Sequence, residues 1–499
     1  MSIVLEKAIV NKNKNFNYKE LTKELQDNLS ELQLKIKDKQ LPVAVIFEGW
    51  GASGKGSFIA EMIKMLDPRF FNVYVTMPAT ETEKRYPLMK RFWEMTPEKG
   101  IISIMDRSWH QELAISKIED DITSEEYERR IKSVNTFERQ LVDDGCLVIK
   151  LFLHISKQEQ KKRFSKLRDD DDTRWRVTVL DKKRNKNYDV YYKQFDDMLE
   201  KTNTNYAPWR VIDTTDKQFT KFQIFNILVS QINSAINMSL DENKIIMDNS
   251  FKLVEQPLLK DILLDNKTLQ PTKYFDQLKK AQKELAKLHD KIYRRKIPVI
   301  IAFEGWDAAG KGGAIKRIST ALDPRGYEAI PISAPDKTEL NHHYLWRFWR
   351  HIPKTGHISI FDRTWYGRVM VEKIEKFTPE YRCNMAYNEI NEFEKELTDS
   401  GAVIIKFWLQ IDKEEQLKRF EERQNNPAKS WKITDEDWRN REKWDQYETA
   451  VNDMIRLTST EFAPWHIIES NNKMFARIKI MNIIIDVLNN EIKQQKSKK

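Results

Sequence analysis

Cysteine is scarce in this sequence, which has Cys146 and Cys383 as its two examples among 499 residues. They lie far apart and lack the close spacing of a metal-binding motif, so we interpret them as reduced thiols. Long apolar runs are also missing, because none approaches the ~20 residues that a membrane-spanning helix needs. These absences argue against a disulfide framework, a cysteine-based metal site and a helical membrane protein.

The first ten residues, "MSIVLEKAIV", contain Glu6 and Lys7 where the apolar core of a signal peptide would lie. We therefore expect a cytoplasmic protein. The charge is not balanced, since 85 Lys and Arg residues outnumber 76 Asp and Glu residues and give a net charge of +9. This excess favours an anionic partner such as a nucleic acid, a nucleotide or another polyphosphate, although a lysine-rich solvated surface explains it as well.

The clearest feature of the sequence is an internal repeat with a constant offset. Gly305 repeats Gly49, and Asp362 repeats Asp106, in both cases 256 positions later. The tripeptides "RFW" and "APW" recur at the same distance. A constant offset over so long a span indicates two copies of one domain. We predict two domains and a connecting segment: 1–240, 271–499 and, between them, 241–270.

Short apolar runs alternate with helical patterns in the second copy. Four runs are typical of buried parallel strands: 298–303, 357–361, 402–411 and 465–469. Alternation of such strands with helices predicts an α/β fold, with a parallel sheet covered by helices on both faces. In such sheets ligands bind beyond the carboxyl ends of the strands.

A phosphate-binding loop is predicted after the first of these strands. The stretch 304–313 reads "EGWDAAGKGG" and has the spacing G-x-x-x-x-G-K, with Lys311 placed to reach the terminal phosphates. Glycines let backbone amides converge on phosphate oxygens, and the helix that follows adds positive potential. A tight glycine turn without a ligand is the alternative. The residues expected to bind phosphate are Gly305, Ala308, Ala309, Gly310, Gly312 and Gly313.

Two acids near this loop predict a metal site. Gly312 stands where such loops usually have the Ser or Thr that holds Mg²⁺, and Asp307 lies inside the loop, where it would repel phosphate unless a cation lies between them. Asp362 follows a predicted strand, at the place of a second metal-binding acid, and Arg363 comes next. We predict that the two acids hold Mg²⁺ and that Arg363 binds phosphate. A structural ion pair between Asp362 and Arg363 is the alternative.

Further basic residues are expected to face the phosphates. Arg347 and Arg368 are two candidates on either side of Asp362. The stretch 413–447 is dense in Arg, Lys and Trp, and it predicts a mobile helical lid, with a solvated helical hairpin as the alternative. The lid cations would be Arg419, Arg423, Lys429, Arg439 and Arg441. The histidines at 342, 343, 351 and 357 lack nearby thiols and a shared face, so we do not interpret them as a zinc site.

These motifs resemble the polyphosphate kinase 2 family very closely. The resemblance is carried by "GWDAAGKGG", "DRTWYGR" and "WKITDEDWRNREKWDQY", and it extends over both copies. It implies two tandem P-loop kinase domains similar in fold to thymidylate kinases, each with a helical lid. It also implies inorganic polyphosphate as the phosphoryl donor, with Mg²⁺. Members with two fused copies typically transfer phosphate to AMP and form ADP.

The same resemblance assigns roles to residues of the second copy. The catalytic residues would be Asp307, Lys311, Asp362 and Arg363, with Asp307 and Asp362 as metal ligands. The family's lid cations would be Arg419, Arg423 and Lys429. The expected partners are polyphosphate and AMP or ADP, without nucleic acid or a membrane, and a homo-oligomer stays open.

The first copy departs from this pattern where the chemistry would occur. Gly51 replaces the loop acid, and "HQE" at 110–112 stands where the second copy has "YGR". The acidic run "DDDDT" at 169–173 stands opposite "NNPAK" and would repel a polyanion. We predict that the first copy is catalytically silent. It nevertheless retains Lys55, Asp106 and Arg107.

The predicted reaction is in-line transfer of a terminal phosphoryl group from polyphosphate to AMP. Three alternatives stay open. The acceptors could be nucleoside diphosphates. An ATP-dependent nucleoside monophosphate kinase would be expected to have Ser or Thr in place of Gly312. A non-catalytic protein that binds nucleic acid or another polyanion suits the positive charge, but it gives no reason for two acids beside a phosphate-binding loop.

Overall fold

The structure is a computed structural model that describes residues 4–5, 12, 16–120, 122–237, 251–265, 267–428 and 430–497. Lys429, one of the predicted lid cations, lies outside the described residues. The chain divides into two units. The first comprises Met1–Thr80, Leu88–Leu240 and Asp336–His343. The second comprises Glu81–Pro87, Asp241–Pro335 and Tyr344–Lys499.

Within the described ranges, each unit contains one sheet of five parallel strands. The strands of the first sheet are β1 (Val43–Gly49), β2 (Phe71–Val75), β3 (Ile102–Asp106), β4 (Leu147–His154) and β5 (Trp209–Asp213). Those of the second are β6 (Val299–Gly305), β7 (Tyr327–Pro331), β8 (Ile358–Asp362), β9 (Val403–Gln410) and β10 (Trp465–Glu469). The orders β2-β3-β1-β4-β5 and β7-β8-β6-β9-β10 are equivalent. The predicted α/β fold with parallel sheets is confirmed.

Helices connect these strands along both halves of the chain. Those of the first half are α1 (Tyr18–Asp38), α2 (Lys55–Ile63), α3 (Lys90–Trp93), α4 (Trp109–Glu119), α5 (Ser124–Asp143), α6 (Lys157–Asp169), α7 (Val179–Lys186), α8 (Tyr188–Lys201) and α9 (Lys217–Asn237). Those of the second half are α10 (Pro271–Arg295), α11 (Lys311–Ser319), α12 (Lys337–Leu340), α13 (Trp346–Trp349), α14 (Val371–Ile374), α15 (Glu380–Asp399), α16 (Lys413–Gln424), α17 (Asp435–Glu442), α18 (Trp444–Thr458) and α19 (Lys473–Ser497).

Strand β6 lies at the centre of the second sheet and positions the candidate site. It pairs with β8 on one side and β9 on the other, and its residues from Val299 to Glu304 are buried. Burial on both faces requires the apolar run that the sequence shows, because helices cover each side of a parallel sheet. In this register Phe303 lies opposite Asp362, so the loop after β6 begins beside the carboxyl end of β8.

The four strands predicted for the second copy are present, and the structure adds β7, which we did not predict. Strand β7 lies at the edge of the sheet, and Ile330 is its one buried residue. An edge strand with a polar exposed side lacks the continuous apolar run by which the other strands were identified.

The described part of the predicted connecting segment groups with the second unit. Leu253 forms an antiparallel bridge with Thr460, and the backbone amide of Leu259 donates to the Asn452 side chain at 3.0 Å. The domain boundaries given above stay a prediction. None of the helices in the described part of the chain is both long and apolar enough to cross a bilayer.

Candidate active site

The loop between β6 and α11 has the shape that its glycines predict. Gly310 has a left-handed φ of 114°, and the helix begins at Lys311. At Gly305 a side chain is excluded, because a Cβ there would lie 2.7 Å from the carbonyl oxygen of Leu409. The Lys311 Nζ donates to the carbonyl oxygens of Gly305 at 2.6 Å and Trp306 at 3.3 Å. The loop therefore holds its lysine at the N-terminus of a helix, where an anion is favoured.

The loop acid is held from two sides. Asp307 Oδ1 lies 3.6 Å from the guanidinium of Arg363, and its Oδ2 accepts a hydrogen bond from the Asn440 side chain at 3.1 Å. The side chain of Asp307 is 16% exposed. The structure thus brings together Asp307 and Arg363, which the sequence analysis assigned to one site. It adds Asn440, which lies on α17 and carries no charge by which it could have been singled out.

The second predicted acid lies beside Gly312, the residue that follows the loop lysine. Asp362 ends β8, and its Oδ2 lies 3.9 Å from the position that a Cβ on Gly312 would occupy. The glycine after the loop lysine therefore places no side chain against this carboxylate. Arg363 follows in the left-handed conformation, with a φ of 66°. Such a conformation is uncommon for a non-glycine residue and is often found at functional sites.

A buried acid that the sequence analysis missed lies beneath the loop. Glu304 is 4% exposed and accepts a hydrogen bond from the Thr364 hydroxyl at 2.7 Å. Burial raises its pKa, and the hydrogen bond together with the charges of Lys311 and Arg363 opposes that shift. At the end of an apolar strand this residue gives no sequence signal beyond its presence next to the glycine.

The structure corrects the prediction that Arg419 is a lid cation that covers the phosphates. Its side chain is 2% exposed, and its guanidinium donates to the carbonyl oxygens of Ala308 at 2.9 Å and Ala309 at 3.0 Å. It also donates to Ser470 and Asn471 and pairs with Glu415. With its donors engaged below the loop, this arginine shapes the backbone and does not cover the phosphates.

Arg368 and Arg347 also make contacts other than those expected. Arg368 lies 3.0 Å from Glu372, donates to the Thr378 hydroxyl and stacks over the Tyr344 ring at 4.3 Å. Arg347 donates to the carbonyl oxygen of Ser333 at 3.0 Å. The geometry gives both side chains a structural role within the second unit.

The predicted lid forms helices α16 and α17, and the described cations Arg439, Arg441 and Lys443 lie beside protein groups. Lys443 lies 2.8 Å and Arg439 3.8 Å from Glu375, and Arg441 donates to the carbonyl oxygen of Lys413. Arg423 is half-buried near the end of α16. Beside Asp307, the lid places Asn440 and a further acid, Asp437, whose pKa is raised by burial and by the charge of Asp307.

Aromatic packing fixes the far side of the loop. The Trp306 ring stacks on Trp444 with centroids 3.7 Å apart and an interplanar angle of 7°, and its Nε1 donates to the Gln410 side chain at 2.9 Å. Since Trp444 begins α18, this stack joins the loop to the helix that follows the lid. Within the described residues, no three His, Cys, Asp or Glu side chains cluster as a complete metal site.

Comparisons with known proteins agree with this geometry. The family model for polyphosphate kinase 2 matches residues 12–239 and 268–496. The chain is 38% identical to the polyphosphate:AMP phosphotransferase of Pseudomonas aeruginosa, over 96% of this chain and 97% of that protein. It is 37% identical to the protein of the same name from Acinetobacter johnsonii, over 89% of this chain and 90% of that protein.

A solved structure gives the same result in three dimensions. The chain is similar to the crystal structure of a polyphosphate kinase 2 from P. aeruginosa PA01, with a TM-score of 0.85 and 36% identity over 99% of this chain and 100% of that chain. Both repeats are matched by the family model, and each contains the loop described above. The chain therefore belongs to the polyphosphate kinase 2 family.

Proposed function

We propose that the second unit transfers the terminal phosphoryl group of inorganic polyphosphate to AMP and forms ADP, and that the first unit does not catalyse this reaction. The observation that carries the proposal is the acid inside the phosphate-binding loop, Asp307, held beside Arg363 and Asn440. Relatives that match over nearly the whole chain bear the name polyphosphate:AMP phosphotransferase, which supports AMP as the acceptor.

The chain's own residues bind and orient the donor. The amides of Ala308 and of Gly310 to Gly312 bind the phosphates at the start of α11, whereas those of Ala309 and Gly313 donate to loop carbonyl oxygens. Lys311 exchanges its loop carbonyl acceptors for phosphate oxygens, which carry full charge and bind an ammonium group more strongly. Arg363 stabilises the charge that develops during transfer. Arg419 acts on the reaction through the loop, since it bonds the backbone of Ala308 and Ala309.

The residues present fit a magnesium ion. Asp307 and Asp362 offer carboxylate oxygens, the ligands that Mg²⁺ prefers, and Gly312 places no side chain against Asp362. Mg²⁺ is usually held by one or two carboxylates together with phosphate oxygens and water, so two acids are enough for this metal. When bound, the ion neutralises charge on the donor phosphates. We assign Mg²⁺ to these two acids.

The acceptor needs no strong base. The phosphate of AMP is anionic at neutral pH, so the reaction depends on the alignment of two phosphate groups and on the exclusion of water. Positioning therefore falls to the loop and to the helices that cover it, α16 and α17.

The proposal is tested by incubating the full chain with polyphosphate, AMP and Mg²⁺ and measuring ADP by chromatography. Lys311→Met should lower the rate by about a hundredfold or more, because it removes a cation from the transferring group. Lys316→Met removes the same charge from an exposed position on the same helix and should leave the rate unchanged. ADP formation with ATP but not with polyphosphate would contradict the proposal. Faster conversion of ADP to ATP would favour diphosphate acceptors.

A further inference from the structure

The loop of the first unit keeps the backbone of a phosphate-binding loop although its acid is missing. Gly49 and Gly54 have φ values of 123° and 103°, and α2 begins at Lys55. The Lys55 Nζ donates to the carbonyl oxygens of Gly49 at 2.9 Å and Trp50 at 3.0 Å. Burial and the nearby charge of Arg107 lower the pKa of Lys55 to about 8, so it remains largely charged at pH 7. The cradle for an anion is therefore intact.

A small, partly open cavity lies against this loop. The loop residues Gly49, Trp50 and Gly51 form one side of it, and Arg107 and Arg184 also line it. Arg184 is already neutralised, since its guanidinium makes two hydrogen bonds to Glu119 at 2.9 and 3.0 Å. Arg107 also lines the cavity, and its charge acts on the buried carboxylate of Glu48.

The first unit has no carboxylate in its loop to pair with Arg107. Its equivalent in the second unit, Arg363, lies 3.6 Å from Asp307. At the position of Asp307 the first unit has Gly51, and no described residue offers Arg107 a side-chain hydrogen bond or an ion pair within 4.0 Å. The guanidinium is nevertheless half-buried and held at a left-handed φ of 68°. Binding of an anion beside a half-buried arginine that has no ion-pair partner is favourable.

One carboxylate lines the cavity and opposes an anion. Asp181 Oδ1 lies 3.1 Å from the position of a Cβ on Gly51. Its Oδ2 accepts hydrogen bonds from the amide and hydroxyl of Thr178 at 2.9 and 2.7 Å, which hold the side chain at the start of α7. This carboxylate belongs to α7 and not to the loop. The loop itself therefore contains no acidic residue beside its amides.

We propose that the loop of the first unit and the cavity beside it form a second phosphate-binding site, which takes a phosphate group without a metal ion and without transferring it. Arg107, which lines the cavity, Lys55 at the start of α2 and the loop amides other than that of Ser53 bind the phosphate oxygens. A cation is needed in the second unit because Asp307 stands inside the loop, and Gly51 removes that need. The phosphate group can be that of inorganic phosphate, AMP or polyphosphate. This choice of ligands rests on the proposed function.

The test is equilibrium binding to the full chain in EDTA, with inorganic phosphate, AMP and tripolyphosphate as separate probes. Saturable binding of any of the three at one site per chain is expected, and the tightest shows the source of the phosphate. Arg107→Ala should weaken binding by about tenfold or more, and Arg107→Lys less. Arg130→Ala, which removes an arginine paired with Glu126 outside the cavity, is the control.

A variant that binds phosphate more tightly provides a control for misfolding. Asp181→Asn should tighten binding several-fold, since it removes the one carboxylate of the lining, and a damaged protein would not show this. No saturable binding of any probe in EDTA would overturn the proposal, as would binding that Arg363→Ala abolishes and Arg107→Ala leaves unchanged. ADP formation is measured on the same preparations. Turnover without metal-free binding rejects this site alone, and metal-free binding without turnover rejects the proposed function alone.

Discussion

The two phosphate-binding loops of this chain share one backbone and differ in one acid. Both have a left-handed alanine, Ala52 and Ala308, and both hold the following lysine on two loop carbonyl oxygens. Asp307 contributes a carboxylate in the second unit, and Gly51 contributes none in the first. The loop conformation therefore does not depend on the acid. We infer that the acid serves the reaction and that the glycines serve the binding of phosphate.

A second comparison concerns the core beneath each sheet. Lys406 and Glu394 form a fully buried pair at 2.7 Å, as Lys150 and Glu138 do in the first unit. In the second unit the Tyr366 hydroxyl also donates to Glu394 at 2.6 Å. In the first unit His110 takes that place, with its Nε2 3.1 Å from Glu138. The same buried ion pair is thus completed by a neutral phenol in one unit and by a titratable imidazole in the other.

The sharpest way to break the comparison of the loops is to remove equivalent acids from each unit. Asp362→Asn should lower ADP formation by at least about a hundredfold, because it removes a carboxylate assigned to the metal. Asp106→Asn, at the end of β3 in the first unit, should leave the rate within about twofold of the unchanged chain. Both rates are measured with polyphosphate, AMP and Mg²⁺. Comparable losses from the two substitutions would show that both units catalyse the reaction.

Removal of the arginine below each loop should give a smaller effect. Arg419→Ala leaves several backbone carbonyl oxygens and Glu415 without their buried cation, so we expect a loss of about 3 kcal/mol in the stability of the second unit. ADP formation should fall with it. Arg163 is 23% exposed, against 2% for Arg419, and Arg163→Ala should cost less stability and spare the activity. Calorimetry and the ADP assay check both. Equal loss of activity from the two variants would contradict this division.

The difference between His110 and Tyr366 predicts that the stability of the two units depends differently on pH. Burial lowers the pKa of His110 to about 4, against the opposing charge of Glu138, while an unfolded histidine titrates near ~6.5. Because the folded pKa is the lower one, the contribution of His110 to stability is complete above pH ~6.5 and is lost as the pH falls towards 4. The loss should reach roughly 3 kcal/mol. His110→Tyr should remove this part of the pH dependence, and the reciprocal Tyr366→His should introduce it into the second unit.

Calorimetric stability between pH 7 and 4 measures this effect. The unchanged chain should lose stability in its first unit faster than the His110→Tyr variant does over this interval. Identical curves for the two proteins would show that His110 does not control the acid sensitivity. The pair of Lys150 and Glu138 is common to both proteins, so it cancels in the comparison.

The parts of the fold and site that could be predicted are those with a local cause. Strand β9 is an apolar run because helices bury both faces of the sheet, and the loop at 305–313 requires glycines because its backbone turns tightly against Leu409. Both leave a mark within a few adjacent residues. The constant offset of the two copies then transfers each assignment from one half of the chain to the other.

The parts that could not be predicted depend on packing between distant segments. The sequence shows Arg419 among lid cations, but whether a helical arginine faces solvent or the loop more than a hundred residues earlier depends on how α16 docks. Asn440 is assigned to the site by its hydrogen bond to Asp307, and Glu304 by its hydrogen bond with Thr364. Strand β7 is polar on its exposed side, and so it resembles a loop in the sequence.

The smallest expected effect comes from returning the acid to the first loop. In Gly51→Asp the new Cβ would lie 3.1 Å from Asp181 Oδ1 and 3.4 Å from the Phe164 ring, so the Asp181 side chain must shift, at a cost of about 1 kcal/mol in stability. ADP formation should not rise, because the lid of the first unit still differs from that of the second. Binding of phosphate in EDTA should weaken several-fold and recover when Mg²⁺ is added. Binding that stays independent of Mg²⁺ would show that the acid alone does not make a phosphate-binding loop require a metal.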